Sequence, residues 1–348
     1  METINIVLTS SEYYAPYTYV LMLSILENTS REIKFYIMTN DMTDLTKDRF
    51  EELKNRKNCE IEYVFVDTKN YPLPKQQRAN AIVYSKMNLP KFIPDLKKCL
   101  VFDSDIIVKT DVGKIYDIDL GDNYVAWVPD QIDITLKKET YWLDNFNMPK
   151  DKQYINSGVL LLNLDAYKKD NIEQKLLENY EKFKDDILFF DQDLFYITLS
   201  DKCIYLDYEY NYLSQLPYTD KTVKERLKKT AKIIHYGADL KPWFFPLEEQ
   251  AEIWWSYARK TPFYEEILKR MTISGIALPP PPKNIVKSAI TSFIGNTKSY
   301  KTLLREKQKI VTSAKNIYTK TKSKRKDNLS FSIYSPRSKL KFSLEKIA

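Results

Sequence analysis

Glycine is scarce in this chain: six residues in 348, none of them before Gly113. A glycine-rich loop near the N-terminus, built to cradle phosphates on backbone N–H groups, is thereby excluded. Histidine occurs once, at His235, so no site can be built from several imidazoles. The three cysteines, Cys59, Cys99 and Cys203, are far apart and show no C-x-x-C spacing. Nothing resembles a disulfide framework, and the cysteines read as small buried hydrophobes. No segment approaches the roughly 20 consecutive apolar residues that span a bilayer. The first residues, Met1-Glu2-Thr3-Ile4-Asn5-Ile6-Val7-Leu8, open a strand without a basic leader, which predicts a cytoplasmic protein.

Apolar residues make up 43% of the chain and aromatic residues 14%, enough to bury a substantial core in one or two domains. The net charge of +7 is unevenly placed. From Thr272 onward 17 Lys/Arg stand against 3 Asp/Glu, leaving 37 basic and 44 acidic residues before it. The basic character therefore belongs to the C-terminal tail.

Strand-like and helix-like runs alternate through the first hundred residues. Ile4–Thr9, Ile33–Thr39, Ile61–Val66 and a run ending at Leu100–Phe102 read as strands. Tyr17–Glu27 and Leu45–Leu53 carry apolar residues at helical spacing, with Pro16 at a helix start and Phe50 inward. Such alternation predicts a parallel sheet covered by helices, with ligands at the carboxyl ends of the strands. Further on, Tyr124–Val128, Gly158–Leu164 and Ile233–Ile234 read as strands. Asp165–Phe183, Asp191–Leu199, Glu248–Arg259 and Phe263–Met271 read as helices. These runs give an α/β domain over residues 1–271 and a proline-rich linker over 272–283, centred on Pro279-Pro280-Pro281-Pro282. Residues 284–348 form a basic tail with two amphipathic helical stripes, expected to lie on an anionic membrane surface. A solvated, inert extension is the alternative for the tail. No groove-reading or base-stacking module accompanies its charge, so nucleic acid is not an expected partner.

Four polar clusters interrupt the apolar pattern. Asp103-Ser104-Asp105 directly follows the run Leu100-Val101-Phe102. Residues two apart on extended chain point the same way, so both carboxylates can face one hard cation such as Mg²⁺ or Mn²⁺. His235 ends a short apolar run and leads into Tyr236-Gly237, with Lys241-Pro242-Trp243 following. A metal ligand with a lysine beyond it suits a diphosphate leaving group, whereas a lone histidine after two isoleucines is more often a packing residue. Asn156-Ser157-Gly158 reads by itself as a turn, and Asp191-Gln192-Asp193 as a helix N-terminus capped by Asp191.

Taken together and in this order, the clusters D-x-D, N-[SA]-G, D-Q-D and H-x(5)-K-P-W resemble the retaining GT-A glycosyltransferases of family 8, over roughly residues 3–271. That family includes bacterial lipopolysaccharide galactosyl- and glucosyltransferases and glycogenin. The resemblance implies a Rossmann-like mixed sheet and a UDP-hexose donor. It also implies Mn²⁺, with Mg²⁺ an alternative, held by Asp103, Asp105 and His235. It would set Lys241 and Gly237 at the donor phosphates, Tyr14 on the uracil ring, Thr9 and Ser11 along the nucleotide and Ser104 at the ribose. Arg78 and Lys86 match basic donor-site positions, and Asn156, Asp191 and Gln192 would surround the transferred sugar. Asp130 would sit near the sugar and the acceptor, a glycan or lipid-linked oligosaccharide. Three positions depart from the family pattern: Ser11 replaces a common acidic residue, Lys86 an arginine of the lipopolysaccharide enzymes, and Ala238 a common glycine.

Two other readings compete. A sugar-phosphate nucleotidyltransferase would share the fold and the cation but should carry the glycine-rich loop that is missing. A tethered, non-catalytic glycan-binding protein would have no need of a complete metal site.

Overall fold

The computed structural model describes residues 2–56, 59–68, 81–131, 146–149, 151–187, 189–216, 218, 220–237, 240–277, 333–335 and 338–340. The chain divides into two units, residues 1–273 and 274–348.

The first unit is built on a seven-stranded sheet. Its strands are β1 (Ile4–Thr9), β2 (Ile33–Thr39), β3 (Cys59–Phe65), β4 (Lys98–Phe102), β6 (Val125–Pro129), β7 (Ile155–Asn163) and β8 (Cys203–Tyr205). Their order across the sheet is β3-β2-β1-β4-β7-β6-β8. The first four run parallel. β7 enters antiparallel between β4 and β6, so the sheet is mixed. A second sheet of three short strands sets β10 (Ile233–His235) between β5 (Ile106–Val108) and β9 (Tyr212–Leu213).

Period-two alternation accounts for the two cores. In β1, Ile6 and Leu8 face one side and join the cluster around the helix Ala15–Asn28. Val7 faces the other and packs with Tyr84, Trp127 and Leu194. β4 repeats the division, Leu100 and Phe102 on the first side, Cys99 and Val101 on the second. With both faces covered, the strands read as continuous apolar runs.

The helix Ala15–Asn28 starts with proline in its first positions and is buried from Ala15 to Leu26. The expected helix over Asp165–Phe183 is two, Leu164–Lys169 and Ile172–Phe183, because Asn171 between them takes a left-handed φ of 52°. Asp191 does not cap its helix. The cap position of Phe190–Leu199 is Phe189, and Asp193 accepts its N–H at 2.9 Å. Of the cysteines only Cys99 is fully buried; Cys59 and Cys203 are half-buried, and all three are free thiols.

In the second unit the described residues are the helical residues 274–277 and an antiparallel pair, Ile333–Ser335 with Ser338–Leu340. The helix expected to stop at Met271 runs on over Tyr264–Ala277, so residues 272–277 of the expected linker are helical; residues 278–283 and both helical stripes expected of the tail lie outside the described residues. Among the described residues no helix is long and apolar enough to cross a membrane.

Candidate active site

Asp103, Ser104 and Asp105 form the turn between β4 and β5, at the carboxyl end of the parallel strands. The sheet ladder continues into this turn, since the Asp103 N–H donates to the Gly158 carbonyl at 3.0 Å. β10 pairs antiparallel with β5, His235 opposite Ile106, and the Tyr236 N–H donates to the Asp105 carbonyl at 2.9 Å. That pairing delivers the imidazole to the carboxylates. His235 Nε2 lies 3.2 Å from Asp105 Oδ1 and 3.9 Å from Asp103 Oδ2. One ligand atom from each of the three residues falls within 4.8 Å of the others. Two carboxylates and one imidazole nitrogen form a donor set suited to Mn²⁺ or Mg²⁺.

The approach of the ring depends on Gly158. A Cβ built there would lie 2.4 Å from His235 Cε1 and 2.7 Å from Nδ1, inside van der Waals contact. Glycine in the N-S-G sequence is thus required by close packing against the imidazole.

Two lysines compensate the acidic cluster. Lys241 Nζ donates to Asp105 and, at 2.7 Å, to the Tyr236 carbonyl. Burial pushes the Asp105 carboxyl up, but Lys241 and His235 outweigh it and hold the group well below the usual carboxylate range. Lys86, 2% exposed, donates to Asp103 at 2.5 Å and to Asp191 at 3.2 Å. Burial alone would drive its proton off, yet the two carboxylates keep it charged and raise its pKa. Burial raises Asp191, with Lys86 opposing and the Asp103 charge adding to the rise.

Beside this cluster Asp130, Asn156 and Gln192 form a hydrogen-bonded patch. Asn156 Nδ2 donates to Asp130 at 3.3 Å and to Gln192 Oε1 at 3.2 Å, while Gln192 Nε2 donates to Asp130 at 3.4 Å. Ser104 Oγ donates to the Thr9 carbonyl at 3.2 Å and lies 2.9 Å from the Thr18 hydroxyl, so the end of β1 and the D-x-D turn are held together. The Ser11 carbonyl and hydroxyl accept the Tyr14 N–H. Tyr14, 39% exposed, stands edge-on to Trp243 and has its hydroxyl pushed up to about 12 by burial first and the Asp105 charge second.

Of the residues singled out from sequence, Asp103, Asp105, His235, Lys86, Lys241 and Asp191 form one cluster, and Asp130, Asn156 and Gln192 a second. Thr9 and Ser104 touch, Ser11 and Tyr14 share a turn, and exposed Gly237 lies against the His235 ring. Arg78 lies outside the described residues. Sequence reading passed over Asn211, which is fully buried and bonded to both His235 and Asn156. Its only signal is an amide among Tyr210, Tyr212 and Leu213. A surface cavity of about 400 Å³, lined by Asn5, Lys34, Lys98 and Tyr116, lies at the amino ends of the parallel strands, away from the triad.

A mixed sheet of this order, with a D-x-D turn at its central carboxyl edge and a histidine delivered from a second sheet, defines a glycosyltransferase of the GT-A class. The chain belongs to glycosyl transferase family 8, whose model matches residues 5–245. It is 28% identical over 253 residues to a putative glycosyltransferase of Haemophilus influenzae, spanning 70% of this chain and 73% of that one. It is 23% identical over 229 residues to the lipopolysaccharide 1,3-galactosyltransferase of Salmonella typhimurium, spanning 63% of this chain and 66% of that one. The galactosyltransferase LgtC, solved with donor and acceptor sugar analogs, shares the fold with a TM-score of 0.64 at 23% identity, over 74% of this chain and 96% of that one.

Proposed function

We propose that this glycosyltransferase is a metal-dependent, retaining hexosyltransferase that takes glucose or galactose from a UDP-sugar. Its acceptor would be a glycan or lipid-linked oligosaccharide in surface polysaccharide or lipopolysaccharide synthesis. The observation that carries the reading is the convergence of Asp103, Asp105 and His235 with the Lys241 ammonium on the same carboxylate. Such a set serves a diphosphate: the three ligands would hold the cation, and Lys241 would pass from Asp105 to a phosphate oxygen. When bound, the cation supplies a Lewis acid that stabilises charge on the leaving UDP.

The remaining assignments rest on the family resemblance. Tyr14 offers a half-exposed ring for the uracil, with Ser11, Thr9 and Ser104 along the nucleotide and Gly237 at the phosphates; by the resemblance Arg78 would add a basic group to the donor side. Asn156, Gln192, Asp191 and Asp130 would surround the hexose. Asp191 is tied to Lys86 and Gln192 is a neutral amide engaged by Asn156, Ser157 and Asp130. Neither is a free nucleophile. This favours front-face transfer over a double displacement through Asp191. In that step the C1–O bond to the β-phosphate breaks while the acceptor oxygen bonds C1 on the same face. The acceptor proton passes to the departing phosphate oxygen, and configuration is retained.

A membrane-surface role for the basic tail, and a place on the inner face of the cell membrane, complete the proposal. The 17 basic residues after Met271 would each add about 1 kcal/mol where they reach anionic lipid.

The test is UDP release over a panel of UDP-sugars, with Mn²⁺ or with EDTA, on the wild type and on Asp105→Ala. One donor should turn over only with the cation, and the substitution should abolish it. A folded protein with Mn²⁺ present that neither binds nor turns over any UDP-sugar would overturn the reading.

A further inference from the structure

The side-chain amides behind the metal triad carry an unbroken record of where their hydrogens lie. It begins at a backbone donor. The Gly158 N–H donates to one end of the Asn156 carboxamide at 3.0 Å, which identifies that end as the oxygen. The same oxygen receives the Asn211 carboxamide at 2.8 Å, so the end of Asn211 facing it must be the NH₂. The other end of Asn211 is then its oxygen, and it faces His235 Nδ1 at 2.9 Å. An oxygen there can only accept, so Nδ1 carries the ring proton. Nε2 is the nitrogen turned toward Asp103 and Asp105, on the side where the cation would bind.

Asn211 is itself held. It is fully buried, and its backbone carbonyl accepts from Gln131 Nε2 at 2.7 Å. Gln131 is fixed in turn at its oxygen by the Leu213 N–H at 3.0 Å and by the Tyr218 hydroxyl. Asn211 is therefore fixed in place with its carboxamide bonded at both ends, and Gly158 closes the other side of the ring. Beyond Asn156 the same chain of bonds reaches Asp130 and Gln192.

We propose that Asn211 is a positioning residue that locks the protein's single histidine in the Nδ1–H tautomer. Through the same carboxamide it ties the metal ligand to the patch proposed to hold the transferred sugar. The inference rests on the reading of Asp103, Asp105 and His235 as a metal site. Partners behind a ligating histidine are worth roughly 10- to 100-fold in metal affinity.

Because His235 is the only histidine in 348 residues, ¹⁵N-histidine labelling of the full chain yields one imidazole, and its tautomer can be read by long-range ¹H–¹⁵N correlation over a pH series. In the wild type the neutral ring should carry its proton on Nδ1; a proton on Nε2 overturns the inference. Mn²⁺ binding in the presence of UDP, followed by electron paramagnetic resonance, gives a second readout. Asn211→Leu should mix the tautomers and weaken Mn²⁺ about 10- to 100-fold. Asn211→Asp keeps an acceptor for Nδ1–H but sets a carboxylate oxygen against Asn156 Oδ1. It should hold Mn²⁺ within a few-fold of wild type while lowering kcat on the sugar donor. Wild-type tautomer and Mn²⁺ affinity in Asn211→Leu, or equal losses of Mn²⁺ in both variants, overturn the role. A wild type that binds no Mn²⁺ with UDP would sink the metal-site reading, whatever the tautomer.

Discussion

At position 158 the side chain is a hydrogen atom and the His235 ring fills the adjoining space. Gly158→Ala would set a Cβ 2.4 Å from Cε1, so the ring or the strand must move. The expected result is a folded protein, about 1–3 kcal/mol less stable by denaturant unfolding, with weakened Mn²⁺ binding in a titration. Thiol chemistry offers a second check. Burial pushes the Cys59 thiol up to about 11 and raises Cys99 and Cys203 as well. A thiol so shifted exposes little thiolate at pH 8, where the reactive form is the one deprotonated above the pKa. Alkylation of Cys59 by iodoacetamide, followed by the mass of its labelled peptide, should run about a hundredfold slower in the native protein than in the unfolded chain. Position in the pattern and the ordered set of motifs pointed to Asp103, Asp105, His235 and Lys241, because an acidic pair after an apolar run and a histidine–lysine spacing survive in one dimension. Asn211 left no such trace. Its meaning lies in three partners supplied by other elements, and sequence shows none of them.

The helix Phe190–Leu199 carries Asp191 and Gln192 in its first turn, and its start is held by Asp193. That carboxylate accepts the Phe189 N–H at 2.9 Å and the Tyr154 hydroxyl, and it is fully buried. Charge-assisted bonds at a helix N-terminus are worth about 1.5–3 kcal/mol each. Asp193→Ala should therefore lower stability by about 3 kcal/mol, read from urea unfolding, and Asp193→Asn by less. Asp191→Asn should leave stability far nearer wild type while reducing turnover. Most elements were legible from apolar period: β1 and β2 match the residues read for them, and the helix at Pro16 starts where proline permits. The break at Asn171 was not, since a left-handed turn between two helices leaves the apolar spacing on either side intact. The capping role passed from Asp191 to Asp193 for a similar reason. Two aspartates two apart look alike until a helix fixes which one turns back to the cap.

Across the whole molecule, charge and chemistry occupy different stretches of chain. The residues of the cleft all precede Met271, in a segment with more acidic than basic groups, and the excess of lysine follows it. If the tail serves attachment, a chain ending after Pro282 should keep UDP-sugar hydrolysis in free solution. It should also lose co-sedimentation with vesicles containing anionic lipid, which the full chain should show at low salt. Retained vesicle binding would place the attachment in residues 1–282.

The pairing of β10 on β5 has one more effect, on the order in which the protein becomes competent. Asp105 and Lys241 are 136 positions apart, and His235 arrives with the same late segment. While the chain is still emerging from the ribosome, the two carboxylates stand at the end of β4 with no imidazole to complete them. Contacts of such long sequence separation form slowly. On the proposed metal site, tight Mn²⁺ binding would therefore mark molecules whose second sheet has closed.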